Sequence, residues 1–496
     1  MSSRSRYLGI GLIVVMIGGT AAPAVRGHGD PRGDDEHGAP GPMLTVKNES
    51  GRATTINVAG FSVVAHTNPF FLDLGINERR CVTCHQPSDN MTVTPASLRA
   101  RFDATDGTDP IFRPNDGSNS PLADVSTVET RRVAYGMLLT KGLIRVGIAI
   151  PANAEFELLE VADPYGYAGH NPNGDELSLF RRPLPATNLS FLSTVMWDGR
   201  ETVEKGSVTA IHFDLAKQAN DATQGHAQAP QPIDQATRDQ IVAYEMGNFT
   251  AQVFDGAAGD LHAAGAQGGP KVLASRSFTF GENDPLGCDP SGVTCDPATA
   301  RFDPIVFTEY DAWSRVPPHG IYRARRGVAQ GQALFNTLPI AITDVSGIND
   351  DFNVKTVMGT CTTCHDTPHA GNHSVPTPLD IGVADPPVAH AAGGDGVHNR
   401  FGLPVADMPV YVLRRKGTVD DLKLVTDPGR ALITGKWKDV GRFKGPILRA
   451  LAGRAPYFHN GSAASLLDVV NFYDARFALG LTPQQKLDLV AFLRTL

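Results

Sequence analysis

Apolar residues recur at helical spacing in two segments near the C-terminal end of the chain. Residues 326–335 carry one such stripe, which is typical of an amphipathic helix. The second segment opens with Thr482, Pro483 and Gln485, which match an N-cap, a proline at the first helical position and the third residue of a capping box. Apolar residues then continue at helical spacing to Leu496. The pattern predicts two helices, and we expect them to cross.

Other stretches predict strands and loops. The residues around 44–46 and 54–58 predict a β-hairpin. Residues 101–130 are rich in Asp, Gly, Pro and Asn and predict a long loop. The apolar stretch 134–150 alternates poorly, so it fits either a helix or a buried strand.

The first residues have the pattern of an export signal. Two arginines precede an apolar run at 8–17, and an Ala-Pro-Ala sequence at 22–24 offers the small residues of a cleavage site. An uncleaved membrane anchor is the alternative, but the run is short for a span of about 20 residues. We therefore predict a signal peptide at 1–24, export to the periplasm, and a leader that ends in the hairpin at 25–60.

Composition limits the function classes. A chain of 496 residues is long enough for two or three domains, and its 51 glycines and 36 prolines predict much loop between short helices. The net charge is −8 and no basic stripe is present, which argues against nucleic acid as a partner. Beyond the export signal no stretch is apolar enough to cross a bilayer, so we expect no stable membrane insertion.

A C-x-x-C-H motif occurs twice, at 81–85 and at 361–365. The residues concerned are Cys81, Cys84, His85, Cys361, Cys364 and His365. A C-x-x-C pair alone fits a thioredoxin-like redox pair or half of a zinc site, but the following histidine and the second copy favour attachment of c-type haem. In that chemistry two thiols bond to the haem and the histidine ligates its iron. We predict two covalently bound haem c groups, and expect Met91, only six residues after His85, to pack rather than ligate.

Two further groups of residues predict local structure. Cys288 and Cys295 predict a loop-closing disulfide in an oxidising compartment, with free thiols as the alternative. Asp366, His369 and His373 resemble a metal-binding cluster, but we expect a solvent-facing loop beside the second motif.

The order of the motifs resembles that of a known family. Trp197-Asp198-Gly199-Arg200 lies between the two C-x-x-C-H motifs, and Ala455-Pro456-Tyr457-Phe458-His459-Asn460-Gly461 follows the second. All four motifs, in this order, resemble those of the bacterial di-haem cytochrome c peroxidases and their MauG-type relatives. The resemblance covers 68–90, 181–205 and 321–496, whereas 98–180 and 245–320 look like insertions.

The resemblance implies a mainly α fold with two cytochrome c-like haem domains, long loops and a small N-terminal β-rich segment. The N-terminal haem domain, at 61–315 with insertions, would react with peroxide. The C-terminal haem domain, at 316–496, would transfer electrons. A tryptophan between the haems carries electrons in the family, and Trp197 occupies its motif position; a large core residue beside a turn is the alternative.

The resemblance also indicates iron ligands. Tyr473 lies fourteen residues after His459, where electron-transfer members have methionine and MauG-type members have tyrosine. We expect Tyr473 to ligate the second haem iron; a buried aromatic is the alternative, and Met408 is the fallback ligand. An anionic oxygen ligand favours the oxidised metal, whereas methionine raises the potential. No histidine occurs between His85 and His170, so the first haem is expected to be open or water-bound.

A proton-transferring group near the first haem has several candidates. The family uses a glutamine followed by a glutamate, and this chain offers Gln218 but no later carboxylate at the matching place. His226 can titrate near neutrality and is the candidate, with a plain loop histidine as the alternative and Glu201 and Glu204 as weaker choices. Calcium is a further cofactor candidate from the family, with Asn188 as the side-chain ligand.

These expectations together describe a di-haem peroxidase. Hydrogen peroxide would react at the N-terminal haem, and electrons would reach it through the C-terminal haem. The donor would be a small redox protein, such as a cytochrome c or a cupredoxin, or a protein or organic substrate. Two alternatives are a non-catalytic electron-transfer cytochrome and a dioxygen-using haem oxygenase on the same scaffold.

Overall fold

A computed structural model describes residues 41–64, 67–167, 176–203, 207–290, 292 and 294–496, without the side chain of Val208. Its strands are β1 (Met43–Asn48), β2 (Gly51–Asn57), β3 (Ile144–Ala149), β4 (Phe156–Ala162), β5 (Glu176–Arg181), β6 (Asn248–Asp255), β7 (Gly259–Asp260), β8 (Ile340–Ile342), β9 (Val357–Gly359), β10 (Val410–Arg415) and β11 (Leu422–Val425). Its α-helices are α1 (Cys81–Cys84), α2 (Pro95–Thr105), α3 (Val128–Ala134), α4 (Gly136–Lys141), α5 (Val208–Gly225), α6 (Gln235–Gly247), α7 (Pro270–Ala274), α8 (Ile321–Thr337), α9 (Ala431–Thr434), α10 (Leu466–Phe477) and α11 (Pro483–Leu493). The predicted signal peptide, His170 and Glu204 lie outside these residues.

The N-terminal hairpin is confirmed, and it is part of a larger sheet. β1 and β2 pair antiparallel, and β2 pairs antiparallel with β6, which belongs to one of the two stretches that look like insertions. The sheet order is β1-β2-β6-β7. The leader therefore finds its partner strand almost 200 residues later in the chain.

The ambiguous stretch 134–150 contains both predicted element types. It begins with the end of α3, continues through α4 and ends in β3. β3 pairs antiparallel with β5, and β4 joins β10 and β11 in a separate three-stranded sheet. Helices make up 31% and strands 16% of the structure. This mixed content does not clearly support a mainly α fold, and the two haem domains stay a prediction.

The two predicted C-terminal helices are confirmed as α8 and α11, although α8 begins at Ile321, before the predicted stripe. Thr482 caps α11 by accepting the backbone N–H of Gln485. The two helices pack closely where α8 has Gly331, because a Cβ there would lie 1.9 Å from the carbonyl oxygen of Asp488 in α11. A side chain at this position would force the helices apart.

The remaining fold-level expectations concern membranes and the disulfide. None of the helices in the described part of the chain is both long and apolar enough to span a membrane. Cys288 and Cys295 form the predicted disulfide. The domain boundary at 315–316 stays a prediction.

Candidate functional site

The first C-x-x-C-H motif forms a single helical turn in the wall of a cavity. The hydroxyl of Thr83 accepts the backbone N–H of Arg80 (2.9 Å) and so caps this turn. Cys81 and Cys84 are one turn apart, and both line the cavity with His85. This cavity is called the first cavity below.

His85 is oriented by the loop that follows it. Its Nδ1 N–H donates to the backbone carbonyl of Met91 (3.3 Å), so Nε2 is the ring nitrogen left for a metal. Burial lowers the pKa of His85 to about 4, which keeps the imidazole neutral, as ligation requires. The side chain of Met91 is fully buried in the core, so its predicted packing role is confirmed.

The second motif repeats this design in a second cavity. Cys361 begins a capped turn, and Cys364 and His365 line the cavity with it. The Nδ1 N–H of His365 donates to the carbonyl of Gly371 (2.6 Å), and burial lowers the pKa of His365 to about 4. Burial also raises the pKa of both thiols to about 12, so they are uncharged at neutral pH.

The residues of both cavities fit a covalently attached haem. The four motif cysteines form no disulfide, and Nδ1 of each histidine bonds to a backbone carbonyl, so Nε2 is the nitrogen that would ligate iron. The two cavities are similar in size, with about 1550 and 1590 Å³ of space not filled by atoms, including the part open to solvent. Each motif therefore offers two thiols, one neutral imidazole nitrogen and room for a large group.

Tyr473 lines the second cavity together with His365, whereas Met408 does not. Burial raises the pKa of Tyr473, and its ring lies 5.4 Å from that of Phe472 and 6.3 Å from that of Phe477. No described residue forms a hydrogen bond with the Tyr473 hydroxyl. The ring is thus held by aromatic packing, and its hydroxyl is available to a group bound in the cavity.

Trp197, Lys444 and Pro446 line both cavities. The indole N–H of Trp197 donates to the carbonyl of Arg182 (2.8 Å), and its ring meets that of His459 edge to face at 6.2 Å. The backbone N–H of Lys444 donates to the carbonyl of Trp197 (2.9 Å). Trp197 is therefore fixed in the wall between the two sites.

Gln218 and His226 both line the first cavity. They lie on and directly after α5, and the Nδ1 N–H of His226 donates to Oδ2 of Asp116 (2.5 Å). Asp116 also accepts a hydrogen bond from Arg79. Burial raises the pKa of Asp116, but the bond from His226 and the charge of Arg79 outweigh it, and the net pKa is lowered. Motif spacing did not indicate this partner, because Asp116 lies in the predicted loop, 110 residues before His226.

Glu245 is, after Asp116, a second buried carboxyl of the first cavity that the motif spacing did not reveal. It lies near the end of α6, lines the cavity, and is 6% exposed. Burial raises its pKa to about 8, and its Oε2 has no hydrogen-bond partner among the described residues. Glu201, the weaker candidate, instead accepts a hydrogen bond from Lys217 (2.8 Å) and does not line the cavity.

The calcium candidate Asn188 is occupied by protein contacts. Its Nδ2 donates to the carbonyl of Thr250 (2.9 Å) and its Oδ1 accepts the N–H of the same residue (3.0 Å). Arg182 donates to the carbonyl of Arg454 (3.3 Å), and burial lowers the pKa of both guanidinium groups to about 10. Two buried cations are therefore close to the Pro-Tyr-Phe-His motif.

The residues after the second motif are buried, so the expected solvent-facing loop is wrong. Asp366 is 0% and His373 4% exposed. His369 lies apart from them, with its Nδ1 3.2 Å from Glu309. The segment that contains Asp366 and His373 is hydrogen-bonded to the residues before the disulfide, through Gly281 and Asn283.

Comparison with known proteins extends over only part of the chain. No protein-family model matches it. It is 39% identical over 95 residues to cytochrome-c peroxidase IdrP1 of Denitromonas iodatirespirans, covering 16% of this chain and 25% of that protein. It is 41% identical over 81 residues to IdrP1 of Pseudomonas sp. (strain SCT), covering 14% and 21%. It is 30% identical over 154 residues to cytochrome-c peroxidase IdrP2 of Denitromonas iodatirespirans, covering 30% and 38%.

The chain thus spans between about a fifth and two fifths of the length of these curated relatives. The MauG-type branch stays a prediction. With two C-x-x-C-H cavities on either side of Trp197, these partial similarities support a relationship between this chain and the cytochrome c peroxidases.

Proposed function

We propose that the protein is a di-haem c-type peroxidase that reduces hydrogen peroxide at the first cavity. The observation that carries the proposal is the pair of C-x-x-C-H cavities that share Trp197, Lys444 and Pro446 in their walls. Haem bound in these cavities would supply the iron redox chemistry, in which hydrogen peroxide, two protons and two electrons give two waters. The partial similarity to named cytochrome-c peroxidases supports this chemistry.

The side chains around the two cavities support the assignment of peroxide to the first. Carboxylates and guanidinium groups line the first cavity, among them Asp116, Glu245 and Arg200. Among the described residues that line the second cavity there is no Asp, Glu or Arg. Peroxide reduction consumes protons and needs groups that deliver them, whereas electron transfer does not. The first cavity is therefore the better substrate site.

His226 is suited to hold and return a proton there. Its Nδ1 is fixed by Asp116, which leaves Nε2 as the atom that can take a proton from one peroxide oxygen and give it to the other. The buried carboxyl of Glu245 is a second proton source, because its pKa of about 8 leaves it protonated at neutral pH. Gln218 can orient peroxide through its amide but does not titrate.

The second cavity would serve as the electron-transfer site. His365 and Tyr473 line it together, and we propose that they are the two axial ligands, as in the MauG-type branch. Trp197 would connect the two sites electronically, since its ring is part of both walls. The donor would be a cytochrome c, a cupredoxin, or a protein or organic substrate that is itself oxidised.

Export to the periplasm and calcium binding are also expected from the sequence. The apolar run at 8–17 supports a signal peptide and a periplasmic location, where c-type haem and a disulfide are both compatible with the surroundings. Calcium has little support, because Asn188 bonds to Thr250 and the cations Arg182 and Arg454 lie close to the Pro-Tyr-Phe-His motif.

The test is to record electronic and EPR spectra of the ferric protein before and after one equivalent of hydrogen peroxide. We expect a high-spin signal from the first site that peroxide changes without prior reduction. The variant Cys81→Ala/Cys84→Ala should lose this response, and the matched variant Cys361→Ala/Cys364→Ala should keep peroxide binding. Purely low-spin spectra with no peroxide response would instead indicate an electron-transfer cytochrome, and dioxygen uptake without peroxide would indicate an oxygenase.

A further inference from the structure

A group of buried ionisable side chains beside the second motif has no role in the proposed peroxidase chemistry. Asp284, Asp366 and His373 each offer a ligand atom, and these atoms lie within 4.8 Å of one another. The three residues are 3%, 0% and 4% exposed. We propose that they bind a divalent transition-metal ion, and that zinc is the ion their chemistry fits best.

The negative charge of this group has no cationic partner from a lysine or arginine. Asp366 accepts the backbone N–H and the hydroxyl of Ser374 (2.7 and 2.8 Å). Asp284 accepts the backbone N–H groups of Leu286 and Cys288 (3.2 and 2.6 Å). These donors are neutral, and in the described part of the chain no lysine or arginine pairs with either carboxylate. Buried charges are normally paired or coordinate a metal, and a bound metal cation would balance the two carboxylates.

The side chain of His373 is a second observation that indicates a bound ion. Its Nδ1 lies 3.4 Å from Oδ2 of Asp366, but neither ring nitrogen makes a hydrogen bond with a described residue. Buried polar side chains are nearly always hydrogen-bonded. An imidazole with a free nitrogen next to two carboxylates is the arrangement that a metal ion would satisfy.

The ligands come from two chain segments that are already joined by other bonds. The N–H of Gly281 donates to the carbonyl of Ser374 (3.1 Å), and Nδ2 of Asn283 donates to the carbonyl of Asp366 (3.1 Å). The disulfide loop starts at Cys288, four residues after Asp284. The site is therefore formed without the metal, and a bound ion would tie the disulfide segment to the second motif.

The donor set favours zinc over calcium or magnesium. Zinc takes imidazole nitrogen and carboxylate oxygen at about 2.0–2.2 Å and accepts three protein ligands with water as a fourth. Calcium and magnesium prefer sites made of oxygen alone. None of the three side chains belongs to a C-x-x-C-H motif, but His373 also lines the second cavity and Asp366 directly follows His365. Zinc binding is therefore tested on the haem-loaded chain.

The experiment uses the full haem-loaded chain, stripped with a chelator, incubated with zinc sulfate and passed through a desalting column. Zinc is counted by mass spectrometry against the amount of chain from amino-acid analysis, so the result is independent of the iron content. We expect one zinc per chain, a higher melting temperature with zinc, and about tenfold or greater loss of affinity in Asp284→Asn and His373→Gln. In parallel samples, the protein should bind manganese and calcium more weakly than zinc.

Asp395 and His398 supply the matched control, because they form another Asp–His pair (2.5 Å) that is exposed. Asp395→Asn/His398→Gln should retain zinc as the wild type does. Zinc loss in this control, or equal zinc retention in the Asp284 and His373 variants, would overturn the proposal, as would no zinc in the wild type. If the site variants do not fold, the zinc K-edge spectrum of the wild type decides: nitrogen and oxygen neighbours without sulfur support the site, and sulfur neighbours refute it.

Discussion

Asp198, of the Trp-Asp-Gly-Arg motif, is 0% exposed and belongs to a buried network of charges. Its Oδ2 accepts a hydrogen bond from Arg181 (2.5 Å), and Arg181 also donates twice to Asp427 (2.7 and 2.9 Å). Oδ1 of Asp198 accepts the backbone N–H of Arg200 (3.1 Å). Burial raises the pKa of Asp198, but the charges of Arg181 and Arg200 outweigh it and bring the pKa down to about 2.

We predict that Asp198→Asn lowers the free energy of unfolding by about 3–5 kcal/mol, the usual cost of removing one partner from a buried ion pair. The pKa of Asp198 gives an independent estimate. It falls from 3.8 to about 2 on folding, which corresponds to roughly 2 kcal/mol of stability. Because the folded pKa is the lower one, this stability is fully present above pH 3.8. It is lost as the pH falls through about 2.

The assay is urea unfolding followed by far-UV circular dichroism at a series of pH values. The difference between the wild type and Asp198→Asn should be constant from pH 7 to about pH 5 and should shrink as the pH falls further. Asp103→Asn is the matched control, because Asp103 pairs with Arg132 at the surface and should cost less than about 1 kcal/mol. Equal costs in the two variants, or a difference that does not change with pH, would refute the role of Asp198 as a buried anion.

Three further predictions concern the cavities. Tyr473→Phe should shift part of the second haem's EPR signal to high spin, and Tyr473→Met should raise its potential in a redox titration; no change in either variant would make Tyr473 a packing residue. Trp197→Phe removes the hydrogen bond to Arg182 and should lower the free energy of unfolding by about 1 kcal/mol. In stopped-flow experiments it should slow the response of the second haem to peroxide but not that of the first. Burial raises the pKa of Glu245 from 4.5 to about 8, so the wild type should lose stability relative to Glu245→Gln as the pH rises from about 5 to 8. Urea unfolding at both pH values measures this. An equal change in the free energy of unfolding of the two proteins would contradict it.

The features that the sequence predicted correctly depend on residues close together in the chain. The cap of α11 needs only Thr482, Pro483 and Gln485, and the disulfide spans seven residues. The turn of each C-x-x-C-H motif was not predicted but is equally local, because a threonine within the motif caps it. Local hydrogen bonds and turn geometry determine such features, so a short window of sequence contains the necessary information.

The features that the sequence did not predict depend on contacts between distant segments. β2 pairs with β6 from an apparent insertion, and His226 pairs with Asp116 from a loop that has no regular pattern. Asp284 joins Asp366 and His373 from 82 and 89 residues away, whereas His369, which is nearer to Asp366 in sequence, lies beside Glu309. Composition and spacing do not record which distant polar groups meet, because many pairings of similar charge are possible.

The two C-x-x-C-H motifs have nearly the same local structure, so the motifs alone do not distinguish the two cavities. In both, Nδ1 of the histidine donates to a backbone carbonyl six residues later, and burial lowers the histidine pKa to about 4. The local design is thus nearly the same, and it specifies only that a haem can be bound. What differs comes from elsewhere in the chain: Asp116 and Glu245 at the first cavity, and Tyr473 at the second. On the proposed assignment, the first set would serve a substrate that needs protons and the second would stabilise an oxidised metal. The difference between the two sites would then come from tertiary contacts rather than from the motifs.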